Sequence, residues 1–90
     1  MGRDDPYEQT RFILSKIEKA INAAGGTLED VVRTRMFVTD IAHWEAIGRA
    51  HGEFFREIKP ASTMLEVSAL INPEFLVEIE ATARLEASFD

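Results

Sequence analysis

Apolar residues fall along this chain in two helical stripes and three alternating runs. Phe12, Ile13, Ile17, Ala20 and Ile21 recur at helical spacing, with Ala24 close behind and Arg11, Lys16 and Glu18 off the stripe. The pattern predicts a helix over 6–24. Asp5 is placed to cap it, Pro6 suits its first position, and Glu8 at the third completes a capping box. Gly25-Gly26 ends it, because glycine takes the left-handed conformation past the last turn at little steric cost. Thr27-Leu28-Glu29-Asp30 reads as one short capped turn. From Val31 to Thr39 the chain alternates: Val32, Thr34, Met36 and Val38 share one face, and Val31, Arg33, Arg35, Phe37 and Thr39 the other. Thr39 or Asp40 caps a second helix over about 41–58, whose broad stripe is Ile41, Trp44, Ile47, Ala50, His51, Phe54, Phe55 and Ile58. Pro60 stops it, since the residue before proline is pushed towards extended geometry. Two more alternating runs follow, 62–68 and 76–85. Ala69 to Phe75, with Asn72-Pro73, is expected to join them as a hairpin loop.

The order helix, strand, helix, strand, strand predicts a single α+β domain over 1–90. Two layers are expected, with both helices on one face of a mixed sheet. The other sheet face carries most of the strand charge and is left open for another use. Ninety residues bury only about 60% of their unfolded surface, so association with further copies is the expected source of additional burial.

Charge and composition narrow the function. Sixteen acidic against ten basic residues give a formal charge of −6, which disfavours nucleic acid as a partner. The absence of cysteine excludes disulfides, thiolate metal sites and a cysteine nucleophile. No apolar run approaches the ~18 residues needed to span a membrane. Met1-Gly2-Arg3-Asp4-Asp5 lacks the apolar stretch of a signal peptide, so a soluble cytoplasmic protein is expected.

Few residue constellations point to chemistry. Glu78 and Glu80 are two apart on one strand and therefore share a face. They are either site carboxylates or partners of Arg33 and Arg35. His43 and His51 are too far apart on one helix to ligate one metal, and no acidic pair completes a shell, so neither metal nor cofactor is expected. His51, Trp44, Phe54 and Phe55 read as core, with His51 hydrogen-bonded. Gly25-Gly26 follows a helix rather than a strand and is not a phosphate loop. Ser62 and Ser68 have no base near them in sequence.

Several motifs in order give the chain a family likeness. They are Glu8-Gln9-Thr10, Ala23-Ala24-Gly25-Gly26-Thr27-Leu28-Glu29-Asp30-Val31-Val32, Met36-Phe37-Val38-Thr39-Asp40, Phe54-Phe55, Lys59-Pro60-Ala61-Ser62-Thr63-Met64, and Leu76-Val77-Glu78-Ile79-Glu80-Ala81-Thr82-Ala83. Together they resemble the Rid family, also called YjgF or L-PSP proteins, from about Tyr7 to Leu85. The resemblance implies the chorismate-mutase-like, YjgF-like architecture, a homotrimer, and a small-molecule site between subunits. It implies Glu78 as the catalytic carboxylate and Ser62, Met64, Gly48 and Arg33 as ligand-binding positions. This sequence departs from the family in two ways. It begins almost at the first helix, without the family's usual N-terminal hairpin. Ser62 stands where deaminating members carry an arginine that grips a substrate carboxylate, Met64 where they carry cysteine, and Gly48 where they carry asparagine. Arg33, Arg35 and Arg84 are the alternative cations. The implied activity is hydrolysis of an imine or enamine other than a 2-imino acid. The rivals are a non-catalytic metabolite-binding module and the endoribonuclease, or translation-inhibitor, activity of the family's other label.

Overall fold

The computed structural model describes residues 4–85, so Met1-Gly2-Arg3, considered above as a possible leader, lies outside the described residues. Helix α1 spans Pro6–Ala23, strand β1 Val31–Val38, helix α2 Trp44–Phe55, strand β2 Ala61–Glu66 and strand β3 Val77–Ala83. Short 3-10 turns, Leu28–Asp30 and Ile41–His43, lead into β1 and α2. Both helices lie on one face of a three-stranded mixed sheet ordered β2-β1-β3, the expected two-layer α+β arrangement.

The expected capping residues are used, although Asp40 caps the 3-10 turn that leads into α2, whose own N-cap, His43, makes no side-chain bond. Asp5 accepts the Glu8 amide at 3.1 Å, and Asp40 accepts that of Ala42 at 2.9 Å. Thr27 and Asp30 form a reciprocal capping box. At the end of α1, Gly26 N–H reaches Ile21 C=O at 2.9 Å and Gly25 N–H reaches Asn22 C=O at 3.1 Å, with Gly25 at φ +95°. That paired geometry satisfies carbonyls the helix would otherwise leave free, and it needs a residue without a side chain.

The core lies between the layers. Met36, Val38, Ile47 and Val77 form one cluster, and Leu14, Val31 and Phe55 the other. The buried line of α1 runs through Thr10 and Leu14, and Phe12, expected on the stripe, is 43% exposed. Trp44 is not core either, at 56% exposed, because it sits at the first turn of α2, before that helix crosses the sheet. Val32 also departs from the alternation. A register shift between Val31 and Arg33 opposite β3 turns Val31 inward and leaves Val32 half-exposed, as a bulge does when it inserts one residue into a ladder.

The connection between β2 and β3 is not a hairpin. β1 runs between them, parallel to β2 and antiparallel to β3. The linking segment crosses the end of β1 and is held there, with Val67 N–H on Val38 C=O at 2.7 Å and Thr39 N–H on Leu76 C=O at 3.3 Å. A segment this long exceeds the two to five residues that close most hairpins. Buried Gln9 of α1 pins the same segment. Its amide donates to Glu74 C=O at 3.0 Å and accepts from Leu76 N–H at 2.8 Å. The helices are tied to each other at their exposed edge. Tyr7 donates to Glu53, Arg11 pairs with Glu53 at 3.3 Å, and Arg49 lies over the Tyr7 ring at 4.6 Å. The Glu53 carboxylate holds the Tyr7 hydroxyl above its ordinary 10.0.

Candidate functional site

Strand register orders the open sheet face into three rungs. Ala61, Arg33 and Thr82 form the first, Thr63, Arg35 and Glu80 the second, and Leu65, Phe37 and Glu78 the third. The middle rung is closed by an ion pair between Arg35 and Glu80, and the Arg35 guanidinium lies 6.0 Å from the centre of the Phe37 ring. On the first rung Arg33 Nη2 reaches Thr82 Oγ1 at 3.4 Å. Glu78, on the third, is exposed and makes no side-chain hydrogen bond or ion pair with another described residue.

Two concavities meet at Glu78. One, of about 290 Å³, is bounded by Phe37, Val67, Ala69, Leu70, Glu78 and Glu80, where the β2–β3 connection overhangs the open face. The other, of about 360 Å³, runs between α1 and β3 and is lined mainly by apolar groups such as Phe12, Ile17, Phe75 and Ile79. Glu78 borders both. Its position follows from period-two alternation on β3. Val77 and Ile79 turn into the core, so Glu78 must turn outward.

The other sequence-derived candidates lie elsewhere in the chain. Met64 packs against the Met36–Val38 cluster on the helix side. Ser62 is exposed on β2, with its Oγ 2.9 Å from Thr34 Oγ1, also on the helix side. Within one chain these two are therefore separated from Glu78 by the thickness of the sheet. Gly48 is exposed on α2, where an added Cβ would meet nothing within 4 Å. Arg33 shares the open face with Glu78 but stands two rungs away, about 13 Å at ~3.3 Å per residue.

The sequence reading missed a second polar cluster. Thr34, wholly buried, lies 2.9 Å from both His51 Nε2 and Ser62 Oγ. Burial pushes the His51 imidazole below its ordinary 6.5. A signal for this cluster was present. Thr34 is the one hydroxyl among the apolar residues of the inner face of β1, and a buried hydroxyl needs partners. Among the described residues no three His, Cys, Asp or Glu side chains gather as a metal site, and no helix is long and apolar enough to cross a membrane.

Comparison with known proteins bears out the fold and the family likeness. A member of the YjgF/YER057c/UK114 family from Mycobacterium tuberculosis superposes with a TM-score of 0.90 at 51% identity, over 93% of this chain and 71% of that one. A Pseudomonas aeruginosa protein of unknown function gives a TM-score of 0.82 at 46% identity, over 86% of this chain and 56% of that one. A Yersinia pestis protein of the conserved Rid family gives a TM-score of 0.88 at 34% identity, over 94% of this chain and 68% of that one. This chain thus spans a little over half the length of the Pseudomonas relative. The family described as Endoribonuclease L-PSP matches residues 1–85, and the chain belongs to that family.

Proposed function

We propose that this protein hydrolyses a small imine or enamine metabolite other than a 2-imino acid, in the cytoplasm. The cleft would lie between subunits of a homotrimer, with Glu78 orienting the attacking water. The contrast between two carboxylates on one strand carries this reading. Glu80 is committed to Arg35, whereas Glu78 has no partner among the described residues and stands where two concavities meet. A carboxylate with free lone pairs can hold a water and take its proton as the oxygen adds to the C=N carbon. That proton passes to the nitrogen, giving a carbinolamine, and transfer of its hydroxyl proton to the nitrogen as the C–N bond breaks releases ammonia or an amine and leaves a carbonyl product.

An uncharged substrate is favoured by the residue at the position where the resemblance implies an arginine. A guanidinium grips a carboxylate through two charge-assisted hydrogen bonds, and Ser62 offers one neutral hydroxyl instead. Arg35, one rung from Glu78, is already paired with Glu80, and Arg33 is two rungs away, so neither cation is paired with Glu78 within the chain. Half-exposed Val32 and Leu65 on the strands support burial of this region by further copies. Such packing would also bring Ser62 or Arg33 of a neighbouring copy towards Glu78. An RNA-cleaving role is less well supported, since the net charge is −6 and the open face carries Glu78 and Glu80 beside Arg33 and Arg35 rather than a basic patch.

Imines generated in solution, one uncharged and one bearing a carboxylate, test the reading. Turnover of the uncharged imine is expected, with a loss of at least tenfold in Glu78→Gln and weak turnover of the 2-imino acid. Binding without turnover would make the protein a binding module. Robust turnover of the 2-imino acid would show that another cation does the arginine's work.

A further inference from the structure

Among the described residues the sheet ends at β3, and no strand pairs with its outer edge. The backbone groups on that edge can be named. Thr39 N–H bonds Leu76 C=O and Arg84 N–H bonds Asp30 C=O, so residues 76 and 84 both turn towards β1. Alternation along an antiparallel strand turns 78, 80 and 82 the same way, and points the N–H and C=O groups of Val77, Ile79, Ala81 and Ala83 outward. The two edges of the sheet are not alike. β2 follows directly on Lys59-Pro60, and lysine and proline blunt an edge. β3 contains no proline, lysine or glycine. Beside its edge lies the apolar groove of about 360 Å³ under α1, where Phe12, Lys16 and Ala20 stand exposed at successive turns.

The strand's own sequence fits this edge. A second β3 related by a two-fold axis runs antiparallel, and outward-facing residues must oppose outward-facing residues, so only odd-numbered positions can face odd-numbered ones. With Ala81 opposite Ala81, Glu78 lies opposite Arg84 of the second copy, and Glu80 opposite its Thr82. Glu78 and Arg84 are both exposed, and neither makes a side-chain hydrogen bond or ion pair with another described residue. They meet on a non-hydrogen-bonded pair, where opposed side chains stand closest and opposite charges attract. The neighbouring registers are worse. One permitted slip sets Glu80 against Glu80, and the next sets Glu78 against Glu80. A slip the other way moves Arg84 to Glu80, which Arg35 already holds. On the helix side the same axis keeps both first helices on one face and turns the two apolar grooves towards each other.

We infer that the outer edge of β3 is a docking surface for a second copy of this chain, paired antiparallel about Ala81 into one continuous sheet. Arg84 of the second copy then supplies the cation beside Glu78 that a single chain lacks. A carboxylate has about four lone-pair sites, so this pairing leaves Glu78 able to hold a water as well. The docking surface is the sheet edge and the groove beside it, separate from the open face, and it does not depend on Glu78 meeting a substrate.

The test uses the full chain in sedimentation equilibrium, with cysteine crosslinking and a charge swap. The wild type should sediment as an even multiple of the chain mass. The chain has no cysteine, so Ala81→Cys reports on the axis alone. It should form a disulfide-linked pair under mild oxidation, because opposed residues there stand about 5.5 Å apart at Cα, within disulfide reach. Arg84→Glu should weaken the pairing about tenfold while keeping the wild-type circular dichroism, and adding Glu78→Arg to it should restore the pairing. A wild type that is monomeric, leaving the edge to a strand of another protein, would overturn the inference. So would an odd multiple of the chain mass, an Ala81→Cys chain that does not crosslink, or a double swap that fails to rescue. Failure of the Glu78 reading is separate, because it would appear as an unchanged hydrolysis rate in Glu78→Gln with mass and crosslinking intact.

Discussion

The two faces of the sheet are built from the same strands under different rules. On the covered face, Val31, Met36, Val38 and Val77 lie under Leu14, Ile47 and Phe55, and the buried polar side chains between the layers, Gln9, Thr10 and Thr34, are all hydrogen-bonded. On the open face, charged and aromatic groups stand in rungs, Arg35 is spent on Glu80, and Glu78 has no side-chain partner among the described residues. Unpaired polar groups are costly where water is excluded and tolerable where it is not. An exposed, uncommitted carboxylate between two concavities is therefore informative about use, and the covered face is informative about stability.

The largest contrast expected between the faces comes from truncating an aromatic on each. Phe55→Ala should destabilise the domain by about 3–5 kcal/mol, the range for emptying a buried aromatic site. Phe37→Ala, on the open face, should cost the isolated chain under about 1 kcal/mol. Urea unfolding of both variants checks the difference, and equal losses would break the distinction.

Gln9→Ala comes next. It removes both bonds to the β2–β3 connection and leaves a backbone N–H and C=O without them, a loss of about 2 kcal/mol. Because that segment borders the open-face cleft, faster amide exchange near Glu74 and Leu76 should accompany it.

A smaller effect is expected from pH. The folded state holds His51 below its unfolded value of 6.5, so the unfolded chain binds the proton more readily. The contribution of neutral His51 to stability is fully present above pH 6.5 and is lost as pH falls from there through the lowered folded value. Thermal melts should show this decline in the wild type and a shallower one in His51→Gln.

The smallest effect concerns the joint between α2 and β2. Lys59 has φ +54°, a left-handed conformation that costs a residue with a Cβ about 1–2 kcal/mol. Lys59→Gly relieves that cost but gives the unfolded chain more freedom, worth about 0.5–1 kcal/mol in the opposite sense. A net gain of about 0.5 kcal/mol is expected by urea titration.

Much of the fold was legible because local chemistry dictated it. Asp5 with Pro6, Gly25-Gly26 and Asp40 marked helix ends, and alternation marked the strands. What misled was non-local. Periodicity gives Val32 the inner face, and only pairing with β3 shows the bulge that puts Val31 there instead. Asn72-Pro73 signals a turn but does not say which strand lies beyond it, so the hairpin was expected where β1 intervenes. The same ambiguity affected the candidate site. Ser62 and Met64 share a face by the two-residue rule, as do Glu78 and Glu80, but the rule does not say which pair faces the helices. Register decides that, and it sets the two pairs on opposite sides.

Glu78→Gln and Glu80→Gln, compared for turnover of an uncharged imine and for thermal stability, test the central claim most directly. Glu78→Gln should lose turnover at least tenfold while melting within a degree or so of the wild type. Glu80→Gln should keep its turnover and lose no more than the ~0–1 kcal/mol of an exposed ion pair. Full activity in Glu78→Gln together with loss of activity in Glu80→Gln would contradict the account, because the paired carboxylate would then be the working one.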